Sequence, residues 1–153
     1  MSLADIIDTV SSVIESVTPT SGPHMRFLRA QVEDWMPLEE QAGTRSRLLL
    51  VEPVGGILEP RYVGLTLHYP SHDLVVSVTY ARGDYRDPHL MASVAAEDFA
   101  SIVTALAPPA SWSAVATSLY PLLPVERYDV PAADGGTLAT IYRLRLRAEW
   151  EVS

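Results

Sequence analysis

The 153-residue sequence contains neither cysteine nor lysine, and each absence narrows what the chain can do. Without cysteine there is no disulfide, no thiolate nucleophile and no cysteine-ligated metal. Without lysine, all 11 basic residues are arginines, whose planar guanidinium favours bidentate pairing with carboxylates. No apolar run approaches the roughly 20 residues of a membrane span, and the start of the chain carries acids where a signal peptide needs cations. We therefore expect a soluble protein made in a cytoplasm.

Acidic residues outnumber basic ones by 19 to 11, which gives a formal net charge of -8. This charge disfavours general binding of nucleic acid, because the phosphate backbone would repel the protein. The hydrophobic content of 48% with 20% charged residues is typical of a globular protein. No internal repeat, linker or shift in composition divides the chain, so we predict a single domain over residues 1–153.

Apolar residues at helical spacing predict two amphipathic helices. The first covers about residues 3–17 and begins with a serine that can cap it. The second covers about residues 88–107 and follows Asp87, which is a suitable N-cap in front of a proline. Its apolar stripe leaves Glu97 and Asp98 on the side that we expect to face water.

Runs of β-branched and aromatic residues predict the first strands of a sheet. One strand covers about residues 45–52 and is closed by Pro53 and the glycines that follow it. Two more, at residues 62–69 and 74–80, are predicted to form a hairpin around the turn at residues 70–73. The helices follow or precede these strands without βαβ alternation, which favours an antiparallel arrangement.

The clearest pattern in the chain lies at Leu138–Val152. From Tyr142 onwards the even positions are apolar and the odd positions are charged, so we predict a long strand with one buried face. A slip of one residue would bury five charges, which specifies the register. The segment before it, residues 118–128, contains two prolines and is predicted as an edge strand or irregular segment. Together the elements predict an α+β fold, with a mostly antiparallel sheet of about four strands under two helices.

The charged side of this terminal strand carries the main candidates for an interface. Arg143, Arg145 and Arg147 project from it about 6–7 Å apart, and three guanidiniums at this spacing repel one another unless acids lie opposite them. Acids on adjacent strands of the same subunit would do this, and so would a carboxylate-rich patch on a neighbouring subunit. The strip turns negative at Glu149 and Glu151, which suits head-to-tail contact around a ring. From these residues alone, we favour cross-strand pairing within one subunit.

The remaining motifs give no catalytic, cofactor or metal site. The tripeptide Arg-Gly-Asp in the loop after the hairpin is mainly a turn, and it adds Arg82 and Asp84 to the candidate interface. His68 and His72 have the four-residue spacing of a helical metal site, but Pro70 breaks any helix there. Two histidines exposed at the end of a hairpin are therefore the preferred interpretation. The chain contains neither a nucleophile elbow nor a phosphate-binding loop.

The order of these elements resembles that of the tail terminator proteins of long-tailed bacteriophages. Two pieces carry the resemblance, the Val-x-Val-x-Tyr strand at Val76–Tyr80 and the acid-containing helical stretch Glu97–Leu106. The resemblance implies a small α+β subunit that forms a hexameric ring on the last ring of tail-tube protein. Such a ring stops tube polymerisation and meets the head-side connector. The resemblance implies neither catalysis nor a cofactor. It implies an acidic lumen through which DNA passes, and a place in the virion tail or neck after assembly in the host cytoplasm.

Two further functions stay open. A neck or head-completion protein of the same assembly would have similar requirements. A stand-alone α+β domain could instead bind a small molecule in a pocket between sheet and helices. An enzyme ranks last, because no set of nucleophile, base and orienting group can be assembled from the sequence.

Overall fold

A five-stranded mixed sheet with two helices against one face organises the chain. The computed structural model describes residues 2–30, 46–57, 61–63, 66–68, 71–85 and 87–150. In chain order its helices and strands are α1 (Leu3–Glu15), β1 (Leu28–Arg29), β2 (Leu48–Ile57), β3 (Arg61–Val63), β4 (Thr66–His68), β5 (Ser71–Ala81), α2 (Pro88–Leu106), β6 (Ser118–Pro131) and β7 (Thr137–Glu149). The predicted α+β class is confirmed, with five strands in the main sheet where about four were expected.

The main sheet has the order β1-β2-β5-β7-β6. β1 runs parallel to β2, and every other neighbouring pair is antiparallel. β6 is an edge strand of the described sheet, as its prolines predicted. The ladder between β6 and β7 shifts register between Leu122 and Glu126, which marks a bulge in β6. The terminal strand is confirmed as β7, which pairs with both β5 and β6 along most of its length.

Both helices begin with the side-chain caps that their sequences predicted. The Ser2 hydroxyl accepts a hydrogen bond from the Asp5 backbone N–H at 3.2 Å and donates one to the Asp5 carboxylate at 2.8 Å. At α2, the Asp87 carboxylate accepts from the His89 backbone N–H at 2.9 Å, with Pro88 at the first helical position. These contacts satisfy backbone donors that a helix start leaves without partners. α1 ends at Glu15, two residues before the predicted end.

The core lies between the helices and one face of the sheet. The even-numbered residues of β5 and β7 point into it, because alternate strand positions face opposite sides. By length and composition alone α2 could pass as a membrane span, but its buried residues belong to this core. The central buried side chains from the sheet and helices are Ile6, Val10, Ile14, Leu74, Val76, Val78, Met91, Phe99, Ile102, Leu144 and Leu146.

The predicted hairpin between residues 62–69 and 74–80 is wrong. β3 pairs with β4 in a separate two-stranded sheet, and β5 begins already at Ser71. Both edges of β5 are occupied by the long strands β2 and β7, so no place remains for the predicted partner. β2 also continues past Pro53 to Ile57, because a register shift next to the proline absorbs it.

Candidate functional site

The face of the sheet opposite the helices carries the charged residues that were predicted to form an interface. The strand register arranges them in rows across β5, β7 and β6, so each arginine of β7 has a defined neighbour on either side. Three such rows contain the arginines: Asp73–Arg147–Tyr120, Val75–Arg145–Leu122 and Ser77–Arg143–Glu126. The three arginines are therefore in different chemical surroundings although they are equivalent in the sequence pattern.

Arg147 is paired within its own subunit. Its Nε and one Nη atom donate to the two carboxylate oxygens of Asp73 at 2.9 and 3.4 Å. The hydrogen bond from Arg147 holds the pKa of Asp73 below its ordinary value. Hydrogen bonding to Asp73 and Tyr120 raises the pKa of Arg147 in turn. The prediction of cross-strand pairing is confirmed for this arginine.

Arg143 is held by an aromatic ring of the edge strand. Its guanidinium carbon lies 5.3 Å from the centre of the Tyr128 ring, within the range of a cation–π contact. Glu126 lies opposite Arg143 in the register and adds a negative charge on the same side of the sheet. Arg143 is half-buried by these surroundings.

Arg145 differs from both of its neighbours in the strip. The residues directly opposite it on the adjacent strands are Val75 and Leu122. The nearby acids are Asp73, which hydrogen-bonds to Arg147 and interacts with Arg145 only through its charge, and Glu126, which lines the same concavity. Its side chain is exposed. Across the part of the chain that the structure describes, the guanidinium of Arg145 has no hydrogen bond, ion pair or ring contact.

A small concavity opens beside Arg145 where β6 bulges away from β7. It has a volume of about 180 Å³. The register shift leaves three residues of β6, at positions 123–125, opposite the single residue Leu144 of β7, and space opens over β7 at this point. The lining combines two guanidiniums, one carboxylate and apolar side chains from Val75, Leu122, Leu123, Pro124, Glu126, Arg143 and Arg145. We call this concavity the bulge pocket.

The other predicted interface residues are Glu149 and Glu151, which follow the arginines in the sequence, and Arg82 and Asp84, which follow β5. Glu149 is exposed at the end of β7, and its backbone carbonyl accepts hydrogen bonds from the Thr117 backbone and hydroxyl. Glu151 lies outside the described residues. Arg82 and Asp84 belong to a short 3-10 turn after β5, where both side chains are half-buried. The structure thus brings the three arginines and Glu149 onto one strand and places Arg82 and Asp84 elsewhere.

The turn at Arg82–Asp84 is folded against its own subunit. The Asp84 carboxylate accepts hydrogen bonds from the Ser46 backbone N–H at 3.1 Å and the Ser46 hydroxyl at 2.7 Å. His24 Nε2 lies 3.5 Å from the same carboxylate. Arg82 donates to the Tyr85 carbonyl at 3.1 Å. Their predicted role in an interface stays a prediction, and the structure adds an internal role for Asp84 as an acceptor at the start of β2.

A buried ion pair lies at the same end of the sheet, on the helix side. Arg47 and Asp98 are 0% and 2% exposed, so the prediction that Asp98 faces water is wrong. Position 98 falls in the stripe of α2 that also buries Met91 and Ile102, which helical spacing would have indicated. Arg47 donates to both oxygens of Asp98, at 2.7 and 3.1 Å. Tyr80 donates to the same carboxylate at 2.7 Å.

The remaining donors of Arg47 bind the loop that follows α1. They reach the carbonyls of Pro23 at 2.8 Å and His24 at 3.1 Å, and also that of Ser21. Burial lowers the pKa of Arg47, but the hydrogen bond and charge of Asp98 outweigh burial and raise it. One guanidinium therefore joins this loop, the sheet and α2, and the chain positions that it connects are too far apart for a motif to reveal.

A larger apolar groove lies between α2 and β6 on the helix side, with a volume of about 590 Å³. Phe99 and Tyr142 contribute to its lining, and their ring centres are 6.3 Å apart. Leu123 borders both the groove and the bulge pocket and is 71% exposed. The groove lies where the alternative prediction placed a small-molecule pocket, between sheet and helices.

The histidine interpretation needs one correction. His72, which was expected to be exposed, is only 8% exposed, because it is a regular position of β5 rather than part of a turn. One of its ring nitrogens lies 2.9 Å from the Asp73 carbonyl. Among the described residues, no group of three histidine, aspartate or glutamate side chains could hold a metal ion.

Comparison with known proteins gives no family for this chain. No protein-family model matches the sequence, and no curated protein matches it either.

Proposed function

We propose that this chain is a structural ring subunit of a phage-type tail, in the tail terminator position that caps the tail tube and meets the head-side connector. The observation that carries the proposal is the charged sheet face, with its arginine strip on β7 and acids on the flanking strands. A neck or head-completion protein of the same assembly is a close variant. The resemblance in element order supports this choice among assembly proteins.

The geometry supports assembly because charged side chains cover this face as an open surface, whereas a small ligand would need an enclosed cleft. In a ring with head-to-tail contacts, each copy presents two different surfaces to its two neighbours. The strip offers cations at Arg143 and Arg145 and an acid at Glu149, and Glu126 on the neighbouring strand β6 adds a second acid, so this face is suitable for complementary contact. The surplus of eight negative charges would let DNA pass through a lumen without binding it.

The experiment is a mass measurement of the chain in solution, alone and with the tail-tube and connector proteins from the same genome. We expect a ring of six copies, formed alone or only on the end of a tube. Subunits of this kind can be monomeric before assembly, so the measurement includes the tube arm. Failure to associate with itself, with the tube and with the connector under any condition would contradict the proposal.

The apolar groove between α2 and β6 favours a second candidate, a stand-alone domain that binds a small apolar ligand. A pocket of this kind commonly combines apolar walls with few polar groups, and the lining here includes Val103 and Val125 beside the two aromatic rings. Its test is a thermal melt against a panel of apolar ligands, because a ligand that binds only the folded chain raises the melting temperature. No rise across the panel would exclude this candidate.

A further inference from the structure

The three arginines of β7 differ in how far their guanidinium groups already contact other residues of the same chain. Arg147 is bound to both carboxylate oxygens of Asp73, and Arg143 is stacked on Tyr128. Arg145, between them, is flanked by Val75 and Leu122 and makes no hydrogen bond, ion pair or ring contact in the described part of the chain, where Asp73 interacts with it only through charge. A guanidinium with five free N–H donors and apolar flanks is well suited to a bidentate carboxylate from outside the subunit.

The bulge pocket gives this carboxylate a place to bind. Arg143 and Arg145 both line it, and Glu126 is its single acid, so the three formal charges leave one net positive charge. Val75 and Leu122 form apolar walls that reduce the water around a bound carboxylate and strengthen its attraction to the guanidinium. At about 180 Å³ the pocket is much larger than one water molecule and can accept the end of an acidic side chain.

Charge favours a second copy of this chain as the source of the carboxylate. The chain has 19 acids against 11 arginines, so any copy presents an excess of carboxylates. Glu52 and Glu149 are exposed on the same sheet face. Glu52 lies in the row of Arg145 but is separated from it by Val75 on β5, and Glu149 lies on β7 four residues beyond Arg145. Pro121 and Pro124 lack backbone donors, which disfavours a contact made by adding a strand to β6. A second copy would therefore contact this face through side chains.

We propose that Arg145 receives, in the bulge pocket, a carboxylate from a neighbouring copy of this chain. This inference rests on the proposed ring function and names the partner of one residue in it. Arg147 then serves the fold through Asp73, and Arg145 serves the assembly, although both occupy equivalent positions of the same strand.

The lysine-free sequence permits a direct test by zero-length crosslinking. Arg145→Lys keeps the positive charge and places a single side-chain amine in the chain. A carbodiimide then joins this amine to a carboxylate that touches it, forming an amide with loss of one water. We expect a covalent dimer on a denaturing gel of the assembled chain. Mixing nitrogen-15-labelled and unlabelled copies, followed by peptide mass mapping, should locate the bond between an acid of one copy and position 145 of the other.

Arg147→Lys is the matched control, since its amine faces Asp73 of the same chain. It should lose one water by an internal bond and give no dimer. The unsubstituted chain reports the background from its N-terminal amine. A product from Arg145→Lys that is monomeric, or is joined only to Glu126 of its own chain, would overturn the inference.

The outcomes also separate this inference from the proposed function. Rings that form without a bond between copies at position 145 would refute the inference and leave the ring function standing. Crosslinked copies that never form a ring or cap a tube would support the contact and count against the tail function.

Discussion

Arg47 and Arg145 show that the same type of side chain can stabilise the fold in one region of the sheet and stay available for a partner in another. Arg47 is completely buried, and its N–H donors reach the two oxygens of Asp98 and three backbone carbonyls. Arg145 is exposed, and the strands on both sides present apolar residues to it. The difference lies in the surroundings and not in the arginine. Converging acceptors make the first arginine part of the fold, and the lack of them at the second leaves it available for a partner.

The largest difference is expected between the methionine variants of the two arginines, in which the charge is removed and much of the side-chain length is kept. Arg47→Met should lower the free energy of unfolding by about 3–5 kcal/mol, because it leaves Asp98 as a buried charge without its partner. Arg145→Met should change it by less than about 0.5 kcal/mol, as for other exposed sites. Urea unfolding measures the free energy of unfolding of both variants. Similar decreases for the two variants would contradict the assignment of Arg47 to the fold and of Arg145 to a partner.

Tyr80→Phe removes one hydrogen bond to the Asp98 carboxylate and leaves the two bonds from Arg47 in place. Hydrogen bonds to charged groups contribute about 1.5–3 kcal/mol, so we expect a loss in that range. Burial raises the pKa of Tyr80, and the charge of Asp98 adds to this effect. The wild-type tyrosine should therefore not ionise in a spectroscopic titration until the fold is lost. Ionisation of Tyr80 in the folded chain near its ordinary pKa would be inconsistent with the cluster.

Gly22→Ala tests the loop that Arg47 binds. Gly22 has a φ of +88°, and a Cβ built there would lie 3.2 Å from Val94 and 3.4 Å from the Arg47 guanidinium. The left-handed backbone alone costs about 1–2 kcal/mol for a residue with a side chain, so we expect a loss of at least that size. Gly83→Ala is the control, because a Cβ there meets nothing within 4 Å. The two variants are compared by thermal melting, and equal melting temperatures would count against the tight loop.

Asp73→Asn should have a smaller effect than the changes at Arg47, Tyr80 and Gly22, and a defined pH dependence. The pKa of Asp73 is lower in the folded chain than its ordinary value of 3.8, because Arg147 stabilises the ionised form. Its contribution is therefore complete above that ordinary value and is lost as the pH falls through the lowered folded pKa. We expect wild type and variant to differ in unfolding free energy at neutral pH and to converge in acid. A difference that stays constant through the acid range would show that the pair is not the cause.

Local patterns predicted those elements whose cause lies within a few residues. The caps at Ser2 and Asp87 are local hydrogen bonds, and both are present. The alternation in β7 predicted its buried and charged faces, because one slip in register would expose a whole apolar set. The hairpin failed for the opposite reason, since pairing of β5 depends on competition with strands far away in the chain.

The candidate site was predictable only in part. The arginine strip was visible as a pattern, but the difference between Arg145 and Arg147 depends on which residues of β5 and β6 lie opposite them. The pair of Arg47 and Asp98 joins positions 51 residues apart, and no spacing rule links them. The bulge pocket depends on a register shift in β6 that Pro124 accompanies but does not specify by itself.

Electron microscopy of tail tubes from the same genome tests the central claim most directly. Tubes are assembled with the wild-type chain, with Arg145→Glu, or with Arg145→Met as a charge-neutral control. We predict six-fold rings on tube ends and shorter tubes with the wild type. Arg145→Glu should be folded but absent from the tube ends. Tube ends that stay bare with the folded wild-type chain, in the presence and absence of the connector protein, would contradict the account.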